Sequence, residues 1–151
     1  MKKLLIIACM ILSGNLLQAQ HVTFKELYSY LYLDGNSVKI SLVMDDFKHV
    51  PDKYGMFDHK TATPGNIECL AFKLEDDRVT SVVYGLSSSS HFYYLRDVVK
   101  ASYPLVSAAS GKDSQGVEEF VQYFESKLWG ARFTTTIDGG IVNYMIKLYL
   151  K

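Results

Sequence analysis

Apolar residues in the first third of the chain recur with a helical period. Phe24, Leu27, Tyr28 and Leu31 fall at i, i+3, i+4 and i+7, one face of a 3.6-residue repeat. Thr23 and Glu26 have the spacing of a capping box, and Val22 and Leu27 stand at the two positions of a hydrophobic staple. A helix is therefore predicted from Thr23 to a stop at Asp34-Gly35-Asn36. Ser37 offers a cap to a second helix with the stripe Ile40, Val43, Met44 and Phe47, although residues 37–40 would also fit a strand. The stretch from Pro51 to Asn66 holds two Pro, two Gly and no sustained period. That predicts a long loop, and long loops often carry function.

After Asn66 the pattern turns to β. Residues 67–75 and 79–86 are apolar runs rich in β-branched and aromatic side chains, separated by Asp76-Asp77-Arg78, and they predict a hairpin. Ser87 to Ser90 supply caps for a third helix bearing Phe92, Leu95, Val98 and Val99, which Pro104 ends. Residues 107–116 are small and polar and predict a second loop. Residues 117–125 form a strand with imperfect alternation; Trp129, Ala131, Phe133, Thr135 and Ile137 alternate cleanly. Asp138-Gly139-Gly140 is a tight-turn signal, and Val142, Tyr144, Ile146, Leu148 and Leu150 complete the last hairpin.

The order α-α-β-β-α-β-β-β lacks βαβ alternation. The expected class is α+β, with N-terminal helices and one central helix on one face of a mostly antiparallel sheet of about five strands. That order is similar to that of several small bacterial exported inhibitor and outer-membrane assembly modules, an analogy of fold that transfers no site. A faint internal echo runs between residues 42–50 and 98–106, each passing from a helix end through an aromatic to a Val.

The extreme N-terminus changes the picture of where this domain works. Lys2 and Lys3 precede an apolar run from Leu4 to Leu12, and Leu17-Gln18-Ala19 ends on a small residue. This is the pattern of a secretory signal peptide over residues 1–19, leaving a single domain over 20–151 in the bacterial periplasm or outside the cell. Cutting before Cys9 instead would leave too short an apolar core, which argues against a lipid anchor. The run is also well short of the ~20 residues a spanning helix needs. Loss of Cys9 leaves Cys69 as the one mature cysteine, in an apolar stretch that predicts a buried thiol.

Charge removes two classes of partner. Sixteen Lys+Arg balance sixteen Asp+Glu in 151 residues, and the mature chain falls to −2 once Lys2 and Lys3 are gone. No basic excess remains for nucleic acid or for an anionic membrane surface.

Few motifs that carry chemistry occur in the chain. Gly111-Lys112 fails the phosphate-loop pattern on both sides, and no nucleophile elbow or paired-cysteine motif occurs. His49, Asp52, Asp58 and His59 form the one local group of imidazoles and carboxylates. They could ligate a divalent cation or serve a hydrolase as an acid/base pair, but their spacing across a Pro- and Gly-containing loop is that of a solvated segment. His91 has no acidic partner fixed by the sequence. Eleven Tyr are the remaining oddity, with Tyr30 and Tyr32 off the first helix's stripe and so candidates for an exposed aromatic surface. In the long loop, Tyr54, Met56 and Phe57 place large apolar groups that need a pocket or a partner. The sequence thus favours an exported, non-catalytic domain without a cofactor that binds a protein, peptide or envelope ligand through Tyr54, Met56 and Phe57. A metal-binding protein or hydrolase using the His/Asp group is the alternative.

Overall fold

Residues 21–44, 47–49, 57–60 and 67–151 are described by a computed structural model. The leader predicted over 1–19 lies outside the described residues. Helix α1, Phe24–Tyr30, starts at the predicted capping box: the Thr23 hydroxyl accepts the Glu26 N–H, and the Glu26 carboxylate accepts the Thr23 N–H at 2.6 Å. Val22 and Leu27, the staple pair, are both buried. So is Tyr30, which corrects the expectation of an exposed aromatic there. Its ring meets Phe72 edge-on at 5.6 Å, while Tyr32 is exposed as predicted.

Helix α2, Gly35–Met44, begins two residues before its expected cap. Asp34, not Ser37, takes the capping role: its carboxylate accepts the N–H groups of Asn36 and Ser37 at 3.0 and 2.9 Å. The buried side chains are Val38 and Leu42, with Phe47 just beyond the helix, whereas Ile40, Val43 and Met44 face water. The predicted stripe was misphased because this helix is apolar on most sides, so periodicity alone cannot choose its buried face.

Among the described residues eight strands, numbered in chain order, form one antiparallel sheet in the order β1-β2-β3-β4-β8-β7-β6-β5. Six are long: β3 Ile67–Glu75, β4 Arg78–Leu86, β5 Leu105–Lys112, β6 Glu118–Glu125, β7 Trp129–Asp138 and β8 Ile141–Leu150. Two are short, β1 Lys48–His49 and β2 Phe57–Lys60, and β2 lies within the stretch expected to be loop. The expected second loop is β5 over most of its length. Leu-Val-Ser-Ala-Ala-Ser-Gly-Lys has weak strand propensity of its own, and its conformation is set by pairing with β6 from Ser107↔Tyr123 to Lys112↔Glu118. The α+β class holds, with more strands than the roughly five expected.

Helix α3, Ser89–Ser102, is capped by the Ser88 hydroxyl, which accepts the His91 N–H at 3.3 Å. It lies on β8, while α1 lies on β4 and against α3. Beneath them the alternate residues Leu70, Phe72, Val82, Tyr84, Ile146, Leu148, Ala131, Phe133 and Phe124 make the core. Trp129 closes one end among Phe24, Tyr28 and Tyr103, with ring centroids 4.5 to 5.8 Å away. The opposite face carries no described helix. There Gly130 stands directly across from Tyr149, and the tyrosine ring lies where a β-carbon at 130 would be. Glycine is required at that close approach.

Candidate functional site

The residues singled out in the sequence lie partly on two paired strands and partly outside the described residues. Asp52, Tyr54 and Met56 lie outside the described residues. His49 stands on β1, and Phe57, Asp58 and His59 stand on β2. The register sets His49 opposite Phe57, Asp58 opposite Cys69 and His59 opposite Glu68. Among the described residues no group of three or more His, Cys, Asp or Glu is placed to hold a metal ion.

A different titratable group is assembled where the described chain begins. Glu68 of β3 is 1% exposed, and His21 Nδ1 hydrogen-bonds its carboxylate. The His21 ring stacks on His91 of α3 with centroids 4.4 Å apart, and His91 Nε2–H donates to the Val22 carbonyl at 2.9 Å. Burial pushes the His91 imidazole below its usual value, and neighbouring His21 adds to that; the Val22 carbonyl and the Glu68 charge oppose it. Tyr84 lies beneath, its phenol driven well above the usual range first by burial and then by the Glu68 carboxylate. The sequence left His91 without an acid, because Glu68 and His21 are 47 residues apart and only sheet formation brings them together. Chemically, the cluster ties Val22 and His21 to β3 and α3 through hydrogen bonds to buried groups, which are costly to leave unmade.

A separate opening lies on the helix-bearing face of the sheet, beside α3. A groove of about 660 Å³ runs between α3 and β5–β8. Phe92 and Tyr93 form its helix wall, Phe120, Ile137 and Val142 its apolar floor, and Ala108 and Ser110 its far side. Arg96, at the edge of the groove, lies over the Tyr93 ring at 4.7 Å and donates to the Asp97 carboxylate at 2.9 Å. Phe120 is 49% exposed and Val142 40% exposed. This groove has no local signature in the sequence. Phe120 and Val142 follow ordinary strand alternation, and only the limited reach of α3 leaves them uncovered. Comparison with protein-family models, with curated proteins and with solved structures finds no match.

Proposed function

We propose that the protein is an exported, non-catalytic binding domain that holds the apolar part of its ligand in the groove between α3 and β5–β8. One observation carries this: Phe120, Val142 and Tyr93 are large apolar or aromatic groups held open to water around one concavity. Each Å² of apolar surface covered by a ligand recovers about 25 cal/mol. The volume falls within the ~300–1,000 Å³ usual for ligand sites, and Ser110, Gln122 and Thr135 add the few polar groups that orient a ligand. Export is supported by the leader pattern of residues 1–19.

Anilinonaphthalene sulfonate, a dye that fluoresces in apolar sites, tests the proposal directly. Bright binding to the native protein is expected, with most of it lost in the Phe120→Asp/Val142→Asp double variant while the melting temperature changes little. Equal fluorescence in the two proteins would refute the groove as the binding site.

A further inference from the structure

We infer that the occupant of this groove is an extended polypeptide segment that joins the sheet as an added strand on β5; the inference rests on the groove being a binding site. β5 ends the strand order, so on one side its backbone has no strand neighbour among the described residues. All eight of its residues are exposed. Natural sheets blunt such edges with very short strands, prolines or charges. At the opposite edge stands β1, of which two residues are described. β5 instead runs through Leu105, Val106, Ser107, Ala108, Ala109, Ser110 and Gly111 before its one charge, Lys112, and contains no proline.

The edge and the groove are continuous, because Ala108 and Ser110 line both. A strand added beside β5 would extend the sheet's alternation and place every second side chain on the helix-bearing face, over the groove. Side-chain size decides between occupants. A second copy pairing β5 with β5 would bring the same alanines and serines, too small to fill about 660 Å³. The groove calls for a partner with large apolar side chains at alternate positions.

The probe is a short fluorescent peptide alternating phenylalanine with threonine, ending in glutamates, and titrated into the full mature protein. Two further versions carry N-methyl groups on alternate amides, one on each edge of the peptide. Micromolar binding of the parent is expected, with at least a tenfold loss for one methylated version only, and with slowed amide exchange in β5. Equal binding of all three without β5 protection would overturn strand addition while leaving the groove reading intact. No binding of any version, together with failure of the dye test, would remove both. A dimer whose β5 amides are already protected without peptide would overturn the inference in favour of a second copy.

Discussion

The two halves of the sheet share one plan and differ in how far it is sealed. Residues 35–86 run from α2 through β1–β4, residues 89–150 run from α3 through β5–β8, and the closing strands β4 and β8 lie side by side. Both halves end in a two-residue hairpin loop with positive φ at both positions, Asp76-Asp77 in one and Gly139-Gly140 in the other. Val79 and Val142 are thus equivalent, each the second residue after its turn, yet Val79 is 0% exposed and Val142 is 40% exposed. The α1–α2 connection makes the difference. Leu33 accepts the Val79 N–H at 3.1 Å, Gly35 donates to the Asp77 carbonyl at 3.1 Å, and Asp34 bridges to Arg78. That connection caps the first hairpin, and no described segment does so for the second. The groove therefore lies where the second hairpin lacks the cover that the α1–α2 connection gives the first.

Truncating the paired valines tests this most strongly. Val79→Ala should cost about 2 kcal/mol, the transfer value of the lost methyls plus a cavity. Val142→Ala should cost under about 0.5 kcal/mol, as exposed substitutions do. Urea titration with matched slopes measures both. Similar costs for the two would mean that the second hairpin is sealed as well.

What the sequence made legible follows from how local each signal is. The Thr23–Glu26 box, the Ser88 cap, the 67–86 hairpin and the Gly139-Gly140 turn all depend on residues within a few positions of one another, and all formed within a residue or so of expectation. β5 was not legible, since Ser-Ala-Ala-Ser becomes a strand only through its neighbour. The buried face of α2 was hidden by its surplus of apolar residues. The groove and the Glu68 cluster were the least legible, for each joins positions tens of residues apart and depends on what a helix fails to cover. The His/Asp group rests on proximity in sequence, and one of its four members, Asp52, lies outside the described residues.

The two turns offer a smaller and more symmetrical test. Gly140 has φ of +83°, where a β-carbon meets the backbone, so Gly140→Ala should cost about 1–2 kcal/mol. Asp77, at φ of +61°, bears that strain already, and Asp77→Gly should stabilise by a few tenths to about 1 kcal/mol. A loss on Asp77→Gly would show that its side chain is needed where the α1–α2 connection rests on the first turn.

Smaller again is the difference between the helix caps. Ser88→Ala should cost about 1 kcal/mol at any pH, because a hydroxyl cap does not titrate. The Asp34 carboxyl is held below the usual carboxylate range, first by the Ser37 hydroxyl and then by the Ser37 N–H. Its contribution is present above about pH 4, the unfolded value, and fades as the pH falls through the depressed folded value. Asp34→Ala should therefore lower the melting temperature at pH 7 and converge with the native protein in acid. A penalty that stayed constant with pH would show that the carboxylate's charge plays no part in the cap.

The weakest effect lies at the seam, where Glu68 of the first half and His91 of the second meet through His21. His91 is surrounded by the His21, Tyr84 and Tyr94 rings, the Val22 carbonyl and the Glu68 charge. Its folded pKa is depressed, so below about pH 6.5 the unfolded chain takes up a proton that the folded chain resists. Stability at this site is complete above that pH and declines as the pH falls toward the folded value. The melting temperature of the native protein should thus drop more steeply between pH 7.5 and 5.5 than that of His91→Asn, whose side chain stays neutral throughout. Parallel curves would mean that the seam is held by packing alone, and that the two halves would stay joined through β4 and β8 whatever the charge above them.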